Sequence, residues 1–340
     1  MQAFYMVNKV FIGLLCMMTT TAYAQLGGQK SFEFLNVPNN ARLAALGGVN
    51  VSLADRDINS MFSNPTLTGD TLAGFASVSY QFYVADVGQT SAAYVHKFKK
   101  IGTLAFGVQY LNYGQIKSYD ATGTEIGTYK SGESAVFVSK SHQISNFRFG
   151  ATLKMAFSSI TGYRANAMML DIGGLFVHPQ QDFTVGLAIK NVGFVLSDYS
   201  ETSSSRLPFD VRIGATLKPE HMPLRFSLTA YNLTDRYDPE ESPNGDEPGT
   251  VTKIFRHINF GAEVLIHRNV NLMVGYNYLV HQELKLENAG GIAGISFGFS
   301  ATIRSFEFVF SRSAYMVGNA GYTFTISKNI ETLLSRGQNL

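Results

Sequence analysis

The sequence predicts an all-β protein, a 14-stranded antiparallel transmembrane β-barrel. Three observations carry this: a side-chain period of two, strands long enough to cross a bilayer, and links that alternate between short and long. The period is plainest from 147 to 157, where Phe147, Phe149, Ala151, Leu153, Met155 and Phe157 alternate with Arg148, Gly150, Thr152, Lys154 and Ala156. Successive strand residues point to opposite faces, so one face of this segment is apolar throughout. Phe209, Val211, Ile213, Ala215 and Leu217 repeat the pattern, as do Tyr322, Phe324 and Ile326.

Segments of this kind fall near 72–82, 89–98, 102–112, 132–142, 147–157, 165–178, 183–191, 209–218, 224–232, 255–267, 270–280, 290–300, 303–314 and 320–328. Most exceed the roughly 5–6 residues of a soluble strand and match the roughly 9–11 that a tilted strand needs to cross a bilayer. After even-numbered strands the links are short, as at 99–101, 143–146, 178–181, 219–223 and 268–269. After odd-numbered ones they run longer, with 113–131, 192–208 and 233–254 the longest and 83–88 an exception. Outer-membrane barrels have short periplasmic turns and long outer loops. The parity therefore puts both termini and the short turns in the periplasm and the long loops at the cell surface.

A soluble antiparallel sheet with one wet face is the competing reading. Hydrocarbon offers no partner for backbone N–H and C=O groups, however, so a lipid-facing sheet must close and leave no edge. Apolar residues then meet lipid, and Arg148, Lys154, Asp210, Arg212, Lys218 and Glu263 face the lumen. The chain has no Trp, so the interfacial girdle falls to Tyr and Phe; Tyr110, Tyr231, Tyr278 and Tyr322, at or near strand ends, are expected at the lipid headgroups.

Residues 1–24 read as a secretory signal peptide, with Lys9, an apolar run over 10–18, and Ala22-Tyr23-Ala24 ahead of Gln25. That run is about half of the ~20 residues a spanning helix requires. Lipoprotein processing at Cys16 would need a small residue where Leu15 stands. Cys16 is the only cysteine, so the mature chain is expected to hold no thiol for a disulfide, a metal site or a nucleophile. The barrel then occupies 71–328, and 329–340 forms a periplasmic tail.

The net charge of +2 supplies no basic field, which excludes nucleic acid as a partner. Charged residues make up 15% against an average near 25%, so the apolar residues need either a large core or a lipid-facing surface. No G-x-S-x-G elbow, H-E-x-x-H or P-loop occurs. Of seven histidines, His142, His178, His221 and His267 fall at or beside predicted short turns; none repeats at a ligand spacing, so they read as polar turn residues and no metal or cofactor is expected. Asp55 and Asp57 lack the glycine and distal Glu of a calcium loop and read as a polar turn balanced by Arg56. Gly47-Gly48 lacks the spacing of a phosphate cradle and reads as a backbone bend. The acidic, proline-bearing stretch 232–253 is either a solvated loop or a docking surface for an outer partner, through Asp235, Arg236, Tyr237, Asp238, Glu240 and Glu241.

The stretch SFEFLNVPNNARLAALGG, followed by NPTLTGD and fourteen amphipathic strands behind a signal peptide, resembles the PorQ and PorV family of the type IX secretion system, and is nearer its PorQ members. These proteins are relatives of the FadL-type long-chain fatty-acid channels. The resemblance implies that 25–70 folds into the lumen as a hatch, with Arg42, Gly47, Gly48, Asn64 and Pro65 as its structural motif. Asn64-Pro65-Thr66 departs from the family's Asn-Pro-Ala in its third residue. Pro65 fixes its own φ and keeps Asn64 out of the helical region, which suits a sharp entry into the first strand. The resemblance further implies a non-enzymatic outer-membrane member of the attachment complex. That role would hold the surface protein PorZ near the sortase PorU and PorV, where cargo is linked to anionic lipopolysaccharide. The alternative it leaves is a FadL-like channel for long-chain fatty acids or other hydrophobic molecules.

Overall fold

A computed structural model describes residues 30–83, 87–234, 249–284, 292–316 and 319–331. The predicted signal peptide, the tail beyond 331 and the acidic residues 235–241 lie outside the described residues. Fourteen strands follow one another: β1 (Phe75–Phe82), β2 (Gly88–Phe98), β3 (Gly102–Tyr119), β4 (Glu125–Ile144), β5 (Phe147–Ile160), β6 (Tyr163–Val177) and β7 (Phe183–Ser197), then β8 (Asp210–Leu217), β9 (Leu224–Ala230), β10 (Ile258–His267), β11 (Val270–Asn277), β12 (Ile295–Ile303), β13 (Phe306–Met316) and β14 (Asn319–Asn329). Each pairs antiparallel with its chain neighbours, and β1 closes the barrel against β14 from Phe75↔Asn329 to Phe82↔Tyr322. Closure gives every strand two neighbours and leaves no unpaired edge.

Alternation sorts the faces as the sequence predicts. On β5, Phe149, Leu153 and Phe157 are exposed outward while Thr152, Lys154 and Ala156 are buried inward. No helix among the described residues is long and apolar enough to cross a membrane.

Three expectations are revised. The 113–131 link is a hairpin rather than a loop: β3 and β4 have 18 and 20 residues, about eight beyond what crossing needs, or about 25 Å of extended chain. Its turn is set by Asp120, whose carboxylate accepts from the amides of Thr122 and Thr124 at 2.9 Å, and by Gly123 at φ +85°. The strands expected at 255–267 and 270–280 begin late and end early, because short helices α2 (Thr250–Phe255) and α3 (Tyr278–Leu284) occupy their long-link ends. Tyr231 is not at the headgroups. It continues the inward set of Ser227 and Thr229, is 5% exposed, and donates to Asn277 Oδ1 at 2.7 Å. Tyr110 and Tyr322 do lie on the outer face.

Candidate functional site

Residues 30–72 enter the barrel and fill it. Glycine, asparagine and proline cut this stretch into short pieces: the helix α1 (Ala41–Ala45) and 3-10 turns at Glu33–Asn36, Ile58–Phe62, Pro65–Leu67 and Asp70–Leu72. So little regular structure leaves many backbone groups without local partners, and a buried orphan costs free energy. Inward side chains of the wall supply the partners. Gln109 Nε2 donates to Phe34 O at 2.8 Å, Thr325 Oγ1 accepts from the Ala41 amide at 2.9 Å, and Thr184 Oγ1 donates to Ser52 O at 2.6 Å. Asn259 Nδ2 donates to Leu46 O (2.8 Å) and Val49 O (2.7 Å), and Asn277 Nδ2 to Gly47 O at 3.1 Å.

Packing completes the seat. Phe34, Leu35, Ile58, Met61 and Phe62 bury against Val95, Ala105, Phe137 and Met169, with the Phe62 and Phe137 rings edge to face at 5.0 Å. On the other side Ala41, Ala45, Leu46 and Leu53 meet Met273 and Val309. Inward glycines of the wall give the segment its room. A Cβ at Gly186 would lie 2.1 Å from Val51 O, one at Gly275 2.1 Å from Gly47 N, and one at Gly150 2.7 Å from Pro65 C. Real Cβ atoms do not approach that closely, so side chains at these positions exclude the seated segment.

The motif residues divide by role. Gly47 and Gly48 turn the chain after α1 at φ +89° and +92°, as the bend reading expects. Asn64 caps the turn that Pro65 begins, accepting from the Thr66 amide at 3.1 Å, and its Nδ2 donates to Val51 O at 2.8 Å and Leu187 O at 3.3 Å. Arg42 is the centre of an ion network. Its Nε and Nη2 reach Glu263 Oε1 on β10, Nη2 also meets Asp55 Oδ2 at 2.6 Å, and Arg225 of β9 bridges Asp55 and Glu263 at 2.8 Å each. Asp55 is thus balanced by Arg42 and Arg225. Arg56, expected to do this, lies over the Phe75 ring at 4.7 Å, and Asp57 caps the next turn by accepting from the Asn59 amide at 2.9 Å.

These positions shift the acids in opposite directions. The Arg42 charge, against burial and with help from Arg225, holds the Asp55 carboxyl well below the usual range. Burial pushes Asp57 upward, only partly offset by Arg42. Burial works against the charge on Arg42, but Glu263 and Asp55 outweigh it and hold the guanidinium more firmly protonated than usual.

A second network lines β5–β8. Lys154 pairs with Asp171 at 2.6 Å and donates to Asn191, and Asn191 gives its amide to Asp171 at 2.7 Å. Arg212 pairs with Asp210 and reaches Asn36 Oδ1 of the interior segment at 2.9 Å. Lys190, 3% exposed, donates to Phe62 O at 2.9 Å. Of the lumen charges expected from the sequence, Lys154, Asp210, Arg212 and Glu263 are buried here, while Arg148 and Lys218 sit half-buried near the short-link end. Sequence reasoning missed Arg225, Lys190, Asn259 and Asn277, which look like ordinary lumen polar residues until their partners on 30–72 are known.

Two cavities flank the segment. One of about 350 Å³ opens at the long-link end, where Val37, Val49, Tyr231, Val280 and Ala314 share the lining with Glu33 and Asn277. One of about 330 Å³ at the short-link end is polar, lined by Thr68, Asp70, Thr103, Ser141 and Arg148 among others. Among the described residues no three His, Cys, Asp or Glu side chains gather to hold a metal ion.

No protein-family model matches the chain, and no curated protein matches it. Solved structures do. The Ralstonia pickettii toluene transporter TbuX matches with a TM-score of 0.51 at 11% identity, over 86% of this chain and 99% of that one. The P. putida toluene transporter TodX matches with a TM-score of 0.50 at 11% identity, over 87% and 99% of the two chains. A Pseudomonas aeruginosa FadL homologue gives 0.46 at 11% identity, over 85% and 97%. The chain therefore shares the fold of the two toluene transporters, a closed antiparallel barrel of fourteen strands.

Proposed function

We propose that this chain is a FadL-like outer-membrane barrel that takes hydrophobic molecules at the long-link cavity above its interior segment. The observation that carries this is the cavity itself, apolar on Val37, Val49, Val280 and Ala314 and polar on Glu33, Glu283, Asn277 and Ser313, the mixed lining that binds and orients a small apolar molecule. The FadL-type fold and the toluene transporters that share it support the same reading. Its orientation follows outer-membrane practice, with short turns and both termini in the periplasm and long loops outside. The role is binding and passage rather than bond-making. Calorimetry of the purified barrel in detergent, titrated with a long-chain fatty acid and with toluene, tests it: saturable binding weakened by Val280→Asp is expected, and no binding of either overturns it.

A second reading is a scaffold of the type IX attachment complex that anchors PorZ near PorU and PorV, where cargo is joined to anionic lipopolysaccharide. The Ala-Arg-x-Ala-Ala-Leu-Gly-Gly run at 41–48 and Asn64-Pro65 favour it, as does an interior segment fastened on every side of the lumen. Gentle extraction of a tagged copy followed by mass spectrometry decides between the readings. PorZ or the sortase recovered with the barrel supports the scaffold, and loss of that recovery on deleting 235–241 locates the contact. A barrel that emerges alone with bound acyl chains supports the channel.

A further inference from the structure

The outer wall is not uniformly apolar. Across β3–β6, Val108, Val136, Leu153 and Met155 face outward in the band expected to meet hydrocarbon. Toward the long-link end the outward set changes within one register step. Tyr110, Ser134, Phe157 and Asn166 form one cross-strand row, and Asn112, Gly132, Ser159 and Arg164 form the next. Lys130 lies one step beyond Gly132, paired with Gln115. Small outward residues in the second row leave the wall indented. The Tyr110 ring leans over Gly132, where an added Cβ would come within 3.0 Å of its hydroxyl.

The result is a depression of about 810 Å³ with Tyr110 and Phe157 on its hydrocarbon side and Lys130 and Arg164 on its polar side. Both cations are exposed, and among the described residues no carboxylate pairs with either. Among the described residues no acidic side chain lines the depression.

We infer that this depression binds the phosphorylated headgroup of a membrane lipid, with Arg164 and Lys130 on the phosphate and Tyr110 and Phe157 against the start of the acyl chains. The occupant is amphiphilic because the site straddles the line at which the wall turns from apolar to polar. It is anionic because two unpaired cations, and no acid, face it. A planar guanidinium suits phosphate oxygens, and basic groups at a membrane surface draw anionic headgroups. Asn112, Ser159 and Asn166 add neutral hydrogen-bonding groups around the same space.

The test uses the full barrel in nanodiscs of phosphatidylcholine doped with phosphatidylglycerol, released into native mass spectrometry to count phosphatidylglycerol retained per barrel. Wild type is expected to retain it above its share of the bilayer. The double variant Lys130→Gln/Arg164→Gln is expected to lose that preference by about tenfold or more. Lys99→Gln/Lys100→Gln, which removes the same charge at the opposite end of the barrel, is expected to keep it. Equal retention by wild type and the double variant overturns the site, and an equal loss in the Lys99/Lys100 control reduces it to general surface charge. Displacement by inorganic phosphate alone would make it a free-phosphate site and overturn the lipid assignment. Unchanged heat-modifiability on gels checks that each variant has closed its barrel, and Arg164→Lys supplies a charge-preserving variant should the double one fail to close.

Discussion

The Arg42 guanidinium and the Glu263 carboxylate are 221 positions apart in the chain, yet meet through Nε at 3.0 Å and Nη2 at 2.8 Å inside the barrel. Arg42 belongs to the interior segment and Glu263 to the wall, so this fork is a fastening between two parts of the fold. Asp55 and Arg225 complete a ring of alternating charge around it.

Breaking that ring should release the segment while sparing the barrel. Arg42→Met leaves Arg225 to balance both Asp55 and Glu263, so one negative charge of the ring goes uncompensated, and removing one member of a buried ion pair costs about 3 kcal/mol or more. Trypsin cleavage after Arg56 should become fast, with gel heat-modifiability of the barrel retained. Protection equal to wild type would count against the fastening.

Acid should loosen the same contact through Asp55. Its folded carboxyl is held below the usual range, so the stability it contributes is present above the ordinary Asp value near 3.9 and is lost as pH falls below it. The difference in protection between wild type and Asp55→Asn should be full at neutral pH and shrink below about pH 4. Asp57 runs the other way. Its carboxyl is raised by burial, so wild type loses stability as pH climbs from the ordinary carboxylate value through the raised one. Asp57→Asn keeps an acceptor for Asn59 and should protect the segment at least as well as wild type at neutral pH, with the gap closing in acid. Proteolysis rates across pH 3 to 8 read both effects.

The paired glycines of β6 give a clean steric control. A Cβ at Gly173 would sit 2.1 Å from Asn64 Oδ1, whereas one at Gly174 would meet nothing within 4 Å. Gly173→Ala should destabilise the seated segment by about 1–3 kcal/mol, in the range of overpacked cores. Gly174→Ala should be silent. Conductance in planar bilayers and proteolysis should both separate the two variants; identical behaviour would mean the wall yields at Gly173.

Lys190 and Asp171 should respond oppositely to removal of charge. Lys190 is buried, and among the described residues it donates only to a carbonyl, so Lys190→Met should be neutral or stabilising against urea. Asp171→Asn leaves Lys154 buried beside a neutral amide, and a loss of about 3 kcal/mol is expected. A larger loss in Lys190→Met than in Asp171→Asn would reverse the assignment.

The wall was legible because a sheet between lipid and a filled lumen repeats its demand at every second residue. Fourteen repetitions make Phe147 to Phe157, or Tyr322 to Ile326, hard to misread. The contents of the lumen were harder, since Arg42 finds Glu263, and Asn259 finds Leu46, over more than 200 positions with no local pattern. Tyr231 shows the limit: its place at a strand end suggested the headgroups, while its parity with Thr229 put it inside. One usable signal was the inward glycines Gly150, Gly173, Gly186, Gly275 and Gly298, which fall on the face where a water-filled lumen would have no need of them.

The contact between the Ala41 amide and Thr325 Oγ1 spans 284 positions, from near the start of the described chain to its last strand. Chain order therefore makes the interior segment first to be synthesised and last to be enclosed. Until β14 arrives, Ala41 lacks this partner and β1 lacks its second edge, so seating and closure become one concerted step with a very long loop to close. Assembly of this barrel should accordingly be slow and all-or-none, with the unseated segment exposed to chaperones and proteases throughout the wait.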